Sequence, residues 1–143
     1  MKIKEIMTPN PEVVSPQDTL QTAARKMREL DVGLLPVCDG KKLTGMLTDR
    51  DLTTRATAEG LDPTTAPVSK VCTSEVIYTF IDESEEVAAE LMEQHQIRRL
   101  IVLDRDKQLS GIVSLGDLAT NPHLKTTPRE VLERVSKPSE PER

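Results

Sequence analysis

The chain has 143 residues and a formal net charge of −5 at pH 7, which bounds one compact domain or two small halves sharing a core. The acidic balance argues against a nucleic-acid binder that works through phosphate contacts, and one Tyr, one Phe and no Trp leave hardly any ring for base stacking. No apolar run approaches a membrane span and Met1-Lys2-Ile3-Lys4-Glu5 leads into no signal-peptide core, so no membrane partner and a cytoplasmic location are expected.

Ile3, Ile6 and Met7 form a short apolar segment, one helical turn at most, before Thr8-Pro9-Asn10-Pro11, whose prolines enforce an extended path. Val13-Val14 is a short strand candidate. Ser15-Pro16-Gln17-Asp18-Thr19 is turn chemistry, with Asp18 or Thr19 as helix N-cap. Leu20, Ala23, Ala24, Met27 and Leu30 follow helical spacing and put one apolar stripe against a core. Asp31-Val32-Gly33 ends that helix. Leu34 to Cys38 reads as a buried strand, Asp39-Gly40-Lys41-Lys42 as a hairpin turn, and Leu43 to Leu47 as the returning strand. A second helix is expected over 49–58, closed by Gly60 and Pro63, with a Pro/Thr-rich connector to Pro67.

From Val68 the pattern restarts. Thr8 corresponds to Thr73, Ala23-Ala24 to Ala88-Ala89, Met27 to Met92, and Val37 to Val102 at a constant offset. One extra residue in the Asp104-Arg105-Asp106-Lys107 turn shifts the match to Gly45 with Gly111 and Asp51 with Asp117. Ala88, Leu91, Met92 and His95 supply the second helical face, and Leu100 to Leu103 and Leu109 to Val113 the strands. The organisation is therefore an internal repeat, with one repeat and its connector over 1–67, a second over 68–119, and a C-terminal part over 120–143. Each half alone would bury too little surface, so the halves are expected to pack on one another. In the C-terminal part Asn121-Pro122 stops the last helix, Thr127-Pro128-Arg129-Glu130 is a capping box starting a short helix through Val131, Leu132 and Val135, and 136–143 reads as disordered.

The repeats agree most closely in Gly45-Met46-Leu47-Thr48-Asp49-Arg50-Asp51 and Gly111-Ile112-Val113-Ser114-Leu115-Gly116-Asp117. Gly and two apolar residues read as the end of a buried strand. The hydroxyl-x-x-acid spacing reads as a helix start, with Thr48 or Ser114 capping free N–H groups and the acid in the first turn. Such a carboxylate can accept two hydrogen bonds from a vicinal diol, such as a ribose 2′,3′-OH pair. An N-capped junction with no ligand is the commoner reading of a single copy; two copies in matching contexts lower its weight.

These doubled motifs, together with Met7-Thr8-Pro9-Asn10-Pro11 and Val37, resemble the tandem cystathionine-β-synthase (CBS) domain pair, or Bateman module, of the stand-alone bacterial type. The resemblance covers Met1 to Ala119. It implies an α/β (α+β) fold of two β-α-β-β-α repeats packed about a pseudo-twofold axis, and a disc-shaped homodimer. It also implies a non-catalytic regulatory module that binds adenine nucleotides or related adenosyl ligands in clefts between the repeats. No cofactor is required; AMP, ADP, ATP or S-adenosylmethionine are the regulatory ligands implied, with an unidentified protein target and no nucleic acid or membrane.

Carried over onto this chain, the resemblance builds one cleft from Asp51, Thr48, Met46, Val32, Gly33, Leu34, Thr8, Pro11 and Val13, with Arg98 and Arg99 at the phosphates. The other uses Asp117, Ser114, Ile112, Ile97, Thr73, Val76 and Tyr78. Where repeat two has Arg98-Arg99, repeat one has Gly33-Leu34, so the clefts are expected to differ in charge preference. A hydrolytic site is not indicated, because His95 and His123 stand in no triad or elbow context. Cys38, Cys72 and His95 have no metal-ligand spacing, and the two thiols are expected reduced. From another class, a dimerisation or protein-interaction module that takes no small molecule is the alternative.

Overall fold

The computed structural model describes residues 1–120 together with 132 and 133. In chain order the elements are β1 (Thr8–Pro9), α1 (Leu20–Leu30), β2 (Leu34–Asp39), β3 (Lys42–Thr48), α2 (Asp49–Asp51), β4 (Tyr78–Phe80), α3 (Glu85–His95), β5 (Arg99–Leu103), β6 (Leu109–Ser114) and α4 (Leu115–Ala119). Helix α2 runs without a break into a π-helical stretch (Leu52–Thr57), and short 3-10 turns stand at Ile3–Glu5 and Val68–Lys70. The fold is mixed α/β, as the repeat pattern implies. The chain forms two compact units, Pro11–Val76 and Met1–Asn10 with the described residues from Ile77 onward.

In the first unit Thr19 caps α1 by accepting the Thr22 N–H at 3.2 Å, while Asp18 closes the preceding turn on the Ser15 N–H at 2.9 Å. Asp31 stops the helix in the left-handed region (φ 54°), a conformation that Asp tolerates better than most residues. Strands β2 and β3 form an antiparallel hairpin turned at Gly40 (φ 62°), with a bulge between Val37 and Cys38. Leu20, Ala23 and Met27 pack with Val14, Leu35 and Leu47. The connector is not a free tether: Leu20 and Gln21 donate to Ala66 O and Pro63 O, and Val68 N–H donates to Asp18 O at 2.8 Å, folding it over the start of α1.

Two expectations are corrected here. Ala24 and Leu30 are exposed, because the buried face of α1 is one residue wide on each turn and the helix ends at Leu30. Val13-Val14 makes no strand; Val14 alone bridges Val37 in parallel, accepting the Cys38 N–H at 2.9 Å and donating to Pro36 O at 3.0 Å.

The second unit holds a four-stranded sheet in the order β1-β6-β5-β4, with β4 parallel to β5 and the other pairs antiparallel. Helix α3 lays Ala88, Ala89 and Met92 on a core with Leu100, Val102 and Leu118. His95, assigned to that stripe by spacing, is exposed, because Gln96 (φ 52°) terminates the helix just as the stripe runs out. The longer turn between β5 and β6 is organised by Asp104, whose carboxylate accepts the Asp106 and Gln108 N–H groups at 2.9 Å each. Leu132 and Glu133 are helical; the expectations placed on 121–131 and 134–143, including His123, lie outside the described residues.

Candidate functional site

Each repeat ends its hairpin in a complete capping box. Asp51 N–H donates to Thr48 Oγ1 at 3.1 Å, and Thr48 N–H donates back to Asp51 Oδ2 at 3.0 Å. In repeat two, Asp117 N–H donates to Ser114 Oγ at 3.0 Å and Ser114 N–H to Asp117 Oδ2 at 2.8 Å. The reciprocal pair satisfies two backbone donors that a helix start leaves open, and it locks the rotamer of each carboxylate. An ionised carboxylate has about four lone-pair sites, so one bond to Oδ2 leaves acceptor capacity for a ligand. The capping and ligand readings are thus compatible: the cap aims the acceptor. Asp51 is only 8% exposed, and Arg55 Nε lies 3.8 Å from its Oδ1.

The glycine that opens each motif has a steric purpose. A Cβ at Gly45 would stand 2.7 Å from Thr73 O, and one at Gly111 would stand 2.7 Å from Thr8 O and 2.6 Å from Met7 Sδ. Only a residue without a side chain lets a second segment approach the strand so closely. At the first position Met46 and Thr73 exchange both backbone hydrogen bonds at 2.9 Å. At the second, Thr8 pairs with Ile112 and Pro9 with Gly111, and Asn10 N–H donates to Ser110 O at 3.2 Å.

These pairings set two of the expected site residues beside the strand of the other repeat. Thr8 pairs with Ile112 on β6 and Thr73 with Met46 on β3. The physical reason is that both strands offer the same side-chain-free acceptor, so nearness in sequence does not choose between them. Pro11, Val13, Val32, Gly33, Leu34 and Val76 are in the Asp51 unit, and Ile97, Tyr78, Arg98 and Arg99 in the Asp117 unit. Gly33 O accepts the Asp49 N–H at 3.0 Å, and a Cβ there would meet the Asp49 carboxylate at 3.1 Å. At the corresponding place Arg98 O accepts the Leu115 N–H at 2.8 Å. The Arg98 and Arg99 side chains are exposed, and Arg99 opens β5 opposite Ser114.

Arg55 and Cys72 escape the motif reading. Arg55 Nη1 also donates to Val71 O at 3.4 Å. Burial pushes the Cys72 thiol above its ordinary range and the Asp51 charge adds to this, while Arg55 opposes it. The available signal was the i,i+4 spacing of Asp51 and Arg55, which brings opposite charges onto one helix face; nothing local announces Cys72.

Two hairpin-and-helix repeats, each ending in one capped carboxylate, define a tandem-repeat protein. The chain belongs to the CBS domain family, which matches residues 3–57 and 68–123. It is 48% identical over 119 residues to the CBS domain-containing protein YhcV of Bacillus subtilis, covering 83% of this chain and 84% of that one. The crystal structure of Hypoxic Response Protein I with two coordinated zinc ions aligns with a TM-score of 0.77 at 38% identity, over 87% of this chain and 99% of that chain. The CBS domain protein PAE2072 from Pyrobaculum aerophilum complexed with AMP aligns with a TM-score of 0.72 at 28% identity, over 85% and 93%. Among the described residues here, no group of three or more His, Cys, Asp or Glu is arranged to hold a metal ion, and no helix is long and apolar enough to cross a membrane.

Proposed function

We propose that this protein is a non-catalytic regulatory module that binds an adenine nucleotide or related adenosyl ligand, with the ribose diol held by Asp51 in one repeat and by Asp117 in the other. The observation that carries the reading is the doubled capping box: each carboxylate is aimed by its own backbone bond and keeps acceptor capacity. Similarity to a relative solved with AMP supports the choice of ligand class. Thr48, Met46, Thr73, Val76, Pro11, Val13 and the run Val32-Gly33-Leu34 are the proposed neighbours of a ligand on Asp51. Ser114, Ile112, Thr8, Ile97 and Tyr78 are those of a ligand on Asp117. Arg98 and Arg99 are the proposed phosphate donors, because guanidinium groups meet phosphate oxygens through paired, charge-assisted bonds. The module acts as a homodimer on an unidentified protein target in the cytoplasm.

A thermal-shift panel of AMP, ADP, ATP and S-adenosylmethionine, followed by calorimetry on any hit, tests the reading, since a ligand bound only by the folded state raises the melting temperature. Asp51→Ala is expected to weaken a ribonucleotide at that site by about 10- to 100-fold, as a charge-assisted hydrogen bond contributes about 1.5–3 kcal/mol. The 2′,3′-dideoxy ligand loses a similar factor against the wild type. Equal binding of ribose and dideoxyribose forms removes the diol role. No shift with any of the four leaves the module as a dimerisation or docking unit.

A further inference from the structure

Arg55 stands between the Asp51 carboxylate and the connector, taken with its continuation from Val68 to Thr73. Its Nε is 3.8 Å from Asp51 Oδ1, and its Nη1 donates to Val71 O at 3.4 Å. A guanidinium is a rigid planar fork with five donors, so one side chain can face both acceptors at once. Both distances exceed the 2.7–3.2 Å or so of a well-formed N–H···O bond, and the Arg55 side chain is 52% exposed. The link is made, and it is weak enough to be exchanged.

The acceptor at stake is the one a diol would need. Asp51 Oδ2 is committed to the Thr48 N–H, whereas Oδ1 is the oxygen that Arg55 faces. On the other side, Val71 sits in a segment tied down residue by residue. Val71 and Cys72 N–H donate to Val68 O at 3.1 and 3.0 Å, and Thr73 N–H donates to Met46 O at 2.9 Å. The segment belongs to the unit that ends at Val76.

The helix carrying Arg55 is also unusual. Leu52–Thr57 is π-helical, a rare geometry that is frequent at functional sites. Thr53, Thr54 and Thr57 donate their hydroxyls to Asp49 O, Arg50 O and Leu52 O at 3.2, 2.8 and 3.1 Å. Such back-bonding competes with the ordinary ladder and leaves a helix easier to deform. Among the described residues repeat two shows no match for this device: α4 is Leu115–Ala119, and in sequence the residue four after Asp117 is Asn rather than Arg.

We propose that Arg55 is a positioning residue that links the Asp51 carboxylate to the connector, so that a diol engaging Asp51 loosens the connector around Val71. The link itself needs no nucleotide. Its use as a signal rests on the nucleotide reading above.

The test is amide hydrogen exchange on the full chain, comparing wild type, Arg55→Ala, Asp51→Asn, the double variant and Arg55→Lys. Exposed ion pairs contribute little, so each single variant is expected to speed exchange at Val71, Cys72 and Thr73 by about two- to fivefold. The double variant goes no further than either single one, because both cut the same chain of contacts. Arg55→Lys keeps the charge, lacks the fork and behaves like Arg55→Ala. Amides of α1 from Ala23 to Met27 stay at the wild-type rate. Additive effects, an unchanged connector, full protection in Arg55→Lys, or a uniform rise that includes α1 each overturn the link. In the second arm, saturating AMP speeds the same three amides in the wild type and adds nothing in Arg55→Ala. If AMP does not bind, the arm is run with whichever of ADP, ATP or S-adenosylmethionine does; failure of all four removes the nucleotide reading, and the variant cycle without nucleotide still decides the link.

Discussion

Thr48 makes the clearest residue-scale case, because its hydroxyl holds a helix start while its backbone N–H aims a carboxylate. Thr48→Ala removes the acceptor for the Asp51 N–H and is expected to cost about 1 kcal/mol in a urea melt. The Thr48 N–H bond to Asp51 Oδ2 survives the substitution, so nucleotide affinity measured by calorimetry is expected to change little, and Thr48→Ser restores the melt. The two thiols give a pH prediction. Burial raises the pKa of Cys38, and burial is the largest cause of the rise at Cys72. A group whose folded pKa is raised lends stability that is fully present below its unfolded value and is lost as pH climbs through the folded one. Stability is therefore expected to fall on the alkaline side, above the ordinary thiol range. Alkylation followed by mass spectrometry should be slow at neutral pH and reach the partly exposed Cys72 before the buried Cys38.

At the scale of elements, the glycines distinguish strands that receive a second segment from helices that merely tolerate one. Gly45→Ala drives a Cβ into Thr73 O and should cost about 1–3 kcal/mol, in the range of overpacked sites. Faster exchange at Thr73 would identify the connector as the part that gives way. Gly111→Ala meets both Thr8 O and Met7 Sδ; Met7 can swing aside, but the backbone carbonyl cannot, so β1 is expected to detach. Gly116→Ala is the contrasting substitution. Its Cβ finds nothing nearer than Ser114 Oγ at 3.5 Å, on a helix, and replacing a helical Gly by Ala stabilises by up to about 1 kcal/mol. Thermal melts of the three variants should rank Gly116→Ala above the wild type and both strand variants below it.

For the whole molecule, the proposed homodimer follows from small units with apolar surface left over. In the unit 11–76 Leu30 and Val32 are 48% and 40% exposed, and in the other unit Tyr78 is 36% exposed. Sedimentation at micromolar concentration is expected to give twice the 15.9 kDa chain mass. A monomer whose mass does not change with concentration would remove the dimer.

Sequence alone determined the first helix, the β2–β3 hairpin and both capping boxes, because each depends on neighbours within a few residues. Thr48 reaches Asp51 across a single turn, and Gly40 makes its own hairpin. Alternation and helical spacing likewise located the cores around Leu35 and Leu100. Only the tertiary structure decided which long-range segment meets which strand. Thr8 runs along β6 and Thr73 along β3, although the motifs at Gly45 and Gly111 are interchangeable in sequence. That choice comes from the path of the connector, fixed by Leu20, Gln21 and Val68 bonding across the start of α1. The same path brings Val71 and Cys72 to Arg55, a contact between residues far apart in the chain, with no periodicity or local motif to mark it.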